Sequence, residues 1–313
     1  LHAIIGAHSG EFLYRYADEP ESTEGWSEPV ALGPRDTYPS LVADDRGTLH
    51  LAHREAGDRW QLWYRRKRAG RPWEQARSIA ISPVSGYNHY MHSLTVAPDG
   101  VVHLIFQFYY SDSGSAADGY ARAIVYLRSE DGGDVWLSES DRPATTPVTV
   151  DTMEALYRRP HDARPSLHDL RAGNHVVDGL GRPWMFLTLP GAKSGSLWTR
   201  HDNAWRKIDL EPMLSPLNLA RGRATSLAAD VEGRLHLLFA TDPDGGETQW
   251  YNARHELFHL TLTPNGEKLS LAGLTAREDT AAWLPALEPW SWATSRADHG
   301  EPWYMYTRGE NAG

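Results

Sequence analysis

The chain has 313 residues, no cysteine and a formal net charge of −10. Without cysteine there is no disulfide framework and no thiolate chemistry, and the acidic balance argues against nucleic acid, whose phosphates call for a basic face. No run of about 18 apolar residues occurs, so no helix of this chain is long and apolar enough to span a membrane.

In chain order, Leu1-His2-Ala3 reads as the tail of a strand already in progress, without an initiator Met. It implies a processed or truncated N-terminus. A strand follows at Leu13, closed by Trp26. The stretch from Pro39 to Arg54 is an apolar strand, an Asp-rich turn ending in Gly47, and a second apolar strand. Gly supplies the positive φ that such hairpin turns need. A third strand starts at Leu62 and Trp73 closes the unit. The same order repeats from His92 through Gly100 to Phe108, with a third strand at Ile124 and a closing Trp136.

Further copies are centred on Gly181 to Trp184, with a third strand at Leu197 and a closing Trp205, and on Gly233 to His236, with a third strand beginning at Trp250. Another is marked by Gly300 to Trp303. The shared mark is Gly, two residues, then His or Trp. Its repetition assigns those His to the architecture rather than to chemistry. About six units of roughly 50 residues, each of three or four strands, predict an all-β fold. The expected form is one β-propeller domain over residues 1–313, with four-stranded antiparallel blades, most readily seven. Thirteen Trp and fourteen Tyr against six Phe suit half-wet strands and carbohydrate-facing surfaces.

Residues Ser129-Glu130-Asp131-Gly132-Gly133-Asp134-Val135-Trp136 match the Asp-box pattern, with Val135 in place of Thr. The motif is a turn: Ser and Asp bind turn backbone, Gly takes the special φ, and Trp packs between strands. It signals fold rather than activity.

Antiparallel pairing brings together residues equally spaced from a hairpin turn. Tyr38 and Arg54 flank the turn at Arg46, eight residues on either side, and His89 and Tyr109 flank Asp99 at ten. His8 follows His2 by six residues, as Tyr109 follows His103. His8, Tyr38, Arg54, His89 and Tyr109 are therefore expected at one mouth. His175, ahead of another first strand, is a further candidate. His53 either joins the mouth or faces the other side of its strand from Arg54. A mouth of His, Tyr and Arg suits a ligand site, although Tyr and Arg also stack for purely structural reasons.

Thr37-Tyr38-Pro39, then Gly47, then His53-Arg54-Glu55-Ala56-Gly57 resemble the signature of BNR-repeat propellers that include ulvan lyases and rhamnosyl-glucuronate lyases and hydrolases. The segment ending in His8 resembles that family's strand with a catalytic His, and Asn88-His89-Tyr90 fits the following blade. The resemblance covers about residues 1–210 and departs at Tyr109, where family members often carry Arg. It implies His8, Tyr38 and Arg54 as catalytic residues, with His89, Tyr109, His175 and His53 binding substrate.

The implied reaction is β-elimination on a uronate-containing polysaccharide. Arg54 would hold the carboxylate bidentately. His8 or Tyr38 would take a proton and Tyr38 would return one, with Arg54 lowering the Tyr38 pKa. The implied partner is an anionic polysaccharide or oligosaccharide, and the implied setting is a secreted or periplasmic monomer.

No Asp or His spacing demands a metal. No cofactor is required, and a structural Ca2+ is compatible with the sequence. Three alternatives stay open: a rhamnosidase-like hydrolase, a sialidase-like hydrolase lacking the Arg-Ile-Pro signature, and a non-catalytic glycan-binding propeller using Trp283, Trp290 and Trp292.

Overall fold

A computed structural model describes residues 1–6, 8–19, 24–111, 113–115, 118–160, 169–192, 194–217, 225–244, 252–276, 280–287 and 304–310. They form two compact units, one of residues 1–96 and 100–161, the other of 97–99 and 162–313.

In the first unit, one sheet runs in sequence order through β1 (His2–Gly6), β2 (Gly10–Tyr16), β3 (Val30–Ala43), β4 (Leu49–Glu55), β5 (Gln61–Lys67) and β6 (Arg77–Ile81). A second has β7 (His92–Val96), β8 (Val102–Tyr110), β9 (Tyr120–Ser129) and the short β10 (Tyr157–Arg158). All pairings are antiparallel.

The six-stranded sheet corrects the expectation of uniform four-stranded blades. The strand expected from Pro39 begins earlier, and β3 runs through Pro34 and Pro39 for 14 residues. Its first part pairs with β2 and its second with β4. At Asp36 it pairs with Gly10 on one side and Glu55 on the other. The register then breaks between Thr37 and Ser40. A four-stranded unit, the second part of β3 with β4–β6, is thus joined through one strand to the three-stranded piece before it.

The second unit has two four-stranded sheets, β11 (Arg171–Val177), β12 (Pro183–Thr188), β13 (Ser196–His201) and β14 (Ala204–Asp209), then β15 (Thr225–Ala229), β16 (Leu235–Thr241), β17 (Glu256–Leu262) and β18 (Lys268–Gly273). A pair, β19 (Ala282–Leu287) and β20 (Tyr304–Arg308), follows. One short helix, α1 (Glu211–Leu214), is present among the described residues. The third strand expected from Trp250 instead begins at Glu256, because Asn252–Arg254 turn and Asn252 O accepts from His255 N. The copy at Gly300 to Trp303, with Trp290 and Trp292, lies outside the described residues. Trp283 is buried.

The repeated turn has a physical logic. Asp44 Oδ1 accepts from the backbone N–H of Arg46 and Thr48, at 3.0 and 2.6 Å. Asp178 does the same for Leu180 and Arg182, and Asp230 for Glu232 and Arg234. Gly47, Gly181 and Gly233 hold φ of 74°, 76° and 76°, a region that disfavours side chains. The second carboxylate oxygen turns to the ring six residues on: His50 at 3.6 Å, Trp184 at 2.9 Å and His236 at 3.2 Å.

The repeated His also reaches the neighbouring strand. His2, His50 and His103 meet the hydroxyls of Tyr14, Tyr64 and Tyr126 at 2.8, 2.6 and 2.6 Å. In the Asp-box, Ser129 Oγ accepts from Gly133 N and Asp131 Oδ1 accepts from Asp134 N and Val135 N. Trp136 packs edge-on against Tyr64 at 5.2 Å. Leu62, Tyr64, Ile79, Leu104, Phe106, Phe108, Val125 and Trp136 fill the space between the two sheets of the first unit.

Candidate active site

Three short turns at one end of the first unit build the site. The β1–β2 turn carries His8. Ser9, at φ 59°, donates its backbone N–H to Thr37 Oγ1 at 2.7 Å, which ties this turn to β3. Next to Thr37, Tyr38 sits at φ 57° where the β3–β4 register breaks. An aromatic residue in the left-handed region costs roughly 1–2 kcal/mol, and strain of this kind gathers at functional positions. The third turn carries Asn88, whose Oδ1 accepts from Tyr90 N at 3.1 Å and Tyr109 N at 3.2 Å. That pins Tyr87 and His89 to the end of β8.

Arg54 is the centre of the site. It is fully buried at 0% exposure, while Tyr38 is 42% exposed. The guanidinium carbon lies 4.6 Å from the Tyr38 ring centroid, 4.5 Å from that of Trp60 and 5.5 Å from that of Tyr87. Nη1 donates to the Tyr87 hydroxyl at 3.3 Å and Nη2 to His8 Nε2 at 3.4 Å. His8 Nε2 also lies 3.3 Å from the Tyr38 hydroxyl.

Arg offers only donors. In this pairing His8 Nε2 therefore presents its lone pair, and the neutral ring carries its proton on Nδ1. Among the described residues Arg54 has no ion-pair partner, and its Nε has no acceptor. Desolvating a cation without a counter-charge costs several kcal/mol. Three aromatic faces, at roughly 2 kcal/mol each when water is excluded, offset much of that. They leave the charge uncompensated.

The Tyr38 phenol is pushed above its ordinary pKa, first by burial and then by the Tyr87 hydroxyl, with Arg54 pulling the other way. The expectation that Arg54 lowers it is corrected: desolvation of a half-buried phenol outweighs one guanidinium. Tyr38 stays protonated at neutral pH.

His89 and Tyr109 meet face to face, with centroids 4.0 Å apart and planes at 21°. Met91 N–H donates to His89 Nδ1 at 3.1 Å, and Gln107 Nε2 lies 3.4 Å from His89 Nε2. Tyr87 lies 6.3 Å from both rings and joins them to Arg54. His8, Tyr38, Arg54, His89 and Tyr109 thus lie together in the first unit.

His53 does not join them. Adjacent strand residues face opposite ways. His53 points to the other side of β4, 1% exposed, with Asp36 Oδ1 3.0 Å from Nδ1 and Phe12 beside it. His175 lies in β11 of the second unit, not ahead of it, paired with Met185 and 2% exposed. Sequence reasoning missed Trp60 and Tyr87. Both sit in loops, where turn symmetry places nothing. Among the described residues no group of three or more Asp, Glu, His or Cys is arranged to hold a metal.

The fold is a set of twisted antiparallel sheets made from one repeated hairpin, with a cationic, aromatic-lined site at the strand ends. The BNR repeat-containing family matches residues 1–213, and the chain belongs to that family.

Among solved structures, a polysaccharide lyase described as an ulvan lyase, bound to -[GlcA(1-4)Rha3S]-, has a TM-score of 0.63 at 13% identity, covering 90% of this chain and 65% of its own. This chain therefore spans about two thirds of that protein. The polysaccharide lyase Uly1 gives a TM-score of 0.55 at 15% identity over 97% of this chain and 67% of its own. The K499G mutant of the NanB sialidase from Streptococcus pneumoniae gives 0.51 at 9% identity over 87% of this chain and 56% of its own. At these identities the likeness is one of fold. No curated protein matches the sequence.

Proposed function

We propose that this chain is a carbohydrate-active enzyme that cleaves a uronate-containing polysaccharide by β-elimination. The observation that carries the reading is the buried Arg54 guanidinium, which lacks a carboxylate partner among the described residues and sits beside a neutral His8 and a protonated Tyr38. A uronate carboxylate completes that site.

The steps balance. The substrate carboxylate takes donors from Arg54 and withdraws Nη2 from His8, which frees the Nε2 lone pair. His8 Nε2 removes the proton on the carbon next to the carboxylate. The electron pair forms a carbon–carbon double bond as the glycosidic bond to the leaving oxygen breaks. Tyr38 protonates that oxygen. His8 then passes its proton to the Tyr38 phenolate across the 3.3 Å contact, and both residues are reset. Arg54 stabilises the charge that builds on the carboxylate, the kind of preorganised interaction worth most in a dry site. Trp60, Tyr87 and stacked His89–Tyr109 supply faces for sugar rings. Elimination is redox-neutral and takes no cofactor.

We extend the reading to a closed propeller of about six or seven blades, acting as a secreted or periplasmic monomer. The aromatic lining also favours a second reading, a non-catalytic glycan-binding module. Mass analysis after incubation with glucuronate–rhamnose polysaccharides separates the readings. Elimination gives a product lighter by one water than hydrolysis would, and a binding module leaves the polymer intact.

A further inference from the structure

Thr37 and Arg54 are cross-strand partners, and pairing resumes at Ser40 and Ala52. Between those pairs β3 advances three residues and β4 advances two. Tyr38 and Pro39 therefore oppose the single residue His53, which is the arrangement of a β-bulge. In a regular ladder neighbouring residues face opposite ways. Thr37 shares a face with Arg54, so without the bulge Tyr38 would point to the His53 face. The bulge turns it onto the guanidinium instead, with Tyr38 at φ 57° and its ring centroid 4.6 Å from the Arg54 guanidinium carbon. A strained residue of this kind persists only where its surroundings over-determine it.

Behind the bulge stand two buried side chains. Asp36 is 0% exposed and His53 1%, and Asp36 Oδ1 lies 3.0 Å from His53 Nδ1. The carboxylate approaches off the line of the ring N–H, and neither its two oxygens nor the two ring nitrogens has a hydrogen-bond partner among the described residues. Moving the two apart would leave a buried carboxylate and a buried imidazole farther from any compensation, so each fixes the other. Phe12 covers the His53 ring at 6.0 Å between centroids.

Gly33, on the same strand, makes room for the carboxylate. A Cβ there would lie 2.1 Å from Asp36 Oδ2. Asp36 also pairs with Gly10 of β2 and with Glu55 of β4, the pair next to Thr37 and Arg54. The Asp36–His53 contact thus joins β3 just before its bulge to the one β4 residue that faces the bulge.

We propose that Asp36 and His53 are positioning residues for the site: a buried clamp that holds the bulge and so keeps Tyr38 on Arg54. That Tyr38 then acts as an acid rests on the function proposed above; that the clamp sets its orientation does not.

The test is NMR of the full chain with labelled tyrosine. Nuclear Overhauser contacts from Arg54 Nε–Hε to the Tyr38 and Tyr87 rings are assigned with Arg54→Met and Tyr38→Phe. His53→Leu breaks the clamp from β4, and Gly33→Ala displaces the carboxylate from within β3. In both variants the Tyr38 contacts should be lost while those of Tyr87 remain. His53→Gln, which keeps a donor for Asp36, should retain them. Should His53→Leu fail to fold, Gly33→Ala, a change of one methyl, carries the comparison. On a glucuronate–rhamnose polysaccharide, His53→Leu should lower kcat about 100-fold with KM nearly kept. In a Tyr38→Phe background it should cost nothing further, because it acts through Tyr38.

The proposal is overturned if folded His53→Leu and Gly33→Ala keep the contacts between Tyr38 and Arg54. An equal loss of kcat from His53→Leu with and without the Tyr38 hydroxyl also overturns it. If the contacts are lost as expected but the wild type releases no unsaturated product, the clamp stands and the function proposed above falls.

Discussion

His8 Nε2 and the Tyr38 hydroxyl lie 3.3 Å apart although 30 residues separate them. The contact exists because the β1–β2 turn is tied to Thr37 and because β3 breaks register at Tyr38. Arg54 then meets both side chains from the adjacent strand. An imidazole, a phenol and a guanidinium thus arrive at one point from three segments.

Arg54→Met separates a ligand-binding cation from a structural one. Removing a buried charge that lacks a counter-ion relieves desolvation, so the thermal midpoint should hold or rise. Turnover of polysaccharide should fall about 100-fold or more, as for other lost electrostatic contacts to a developing charge. Differential scanning calorimetry with a rate assay checks both. A midpoint several degrees lower, with activity kept, would make Arg54 structural.

The repeated His are expected to hold the fold and not the chemistry. The Tyr64 hydroxyl donates to Gly132 O at 2.8 Å and so accepts from His50 Nδ1–H at 2.6 Å. Tyr64→Phe orphans the His50 Nδ1–H, while Gly132 O keeps its bond from Arg66 Nη1 at 2.7 Å, and should cost about 1–3 kcal/mol in urea unfolding, with unchanged kcat and KM. A fall in kcat alone would contradict this division of labour.

Much of the fold and part of the site were legible in the sequence. The turns ending in Gly47 and Gly100 fix hairpin centres, and antiparallel symmetry about them brings His89 to Tyr109 and Tyr38 near Arg54, although the register break makes Thr37, not Tyr38, the cross-strand partner of Arg54. The continuity of β3 was not legible. Pro34 and Pro39 punctuate it, and only pairing with strands on both sides keeps it extended. Trp60 and Tyr87 reach Arg54 from loops, where no periodicity applies. The opposite facing of His53 and Arg54 was there to be read in strand alternation.

Stability should fall on mild acidification. Burial lowers the pKa of His92 to about 4, against backbone carbonyls of Tyr90 and Ala52 that favour the cation. Burial and the neighbouring His236 bring His259 to about 4 as well. An unfolded His titrates near 6.5, so the unfolded chain binds the extra protons. The stabilisation is complete above about pH 6.5 and is lost as pH falls towards 4, on the order of 3 kcal/mol for His92. His259, less shielded, contributes less. Urea midpoints between pH 7 and 4 report it, and His92→Gln should flatten the curve. An unchanged slope in that variant would remove His92 from the account.

Gly119 makes room for the Tyr109 ring. A Cβ there would lie 2.3 Å from that ring and 2.5 Å from Tyr110 O. Gly119→Ala should push Tyr109 off His89 and raise KM about tenfold, with kcat little changed, as expected for lost uniform binding. A normal KM with a folded variant would show that the stacked pair takes no part in binding sugar.

The most direct test follows ultraviolet absorbance of an unsaturated uronate as wild-type protein and Tyr38→Phe act on glucuronate–rhamnose polysaccharide. Rising absorbance is expected with the wild type and a loss of about 100-fold or more in Tyr38→Phe, with the thermal midpoint kept. Equal rates in the two proteins, or reducing sugar released without absorbance, would contradict β-elimination by Tyr38 and His8.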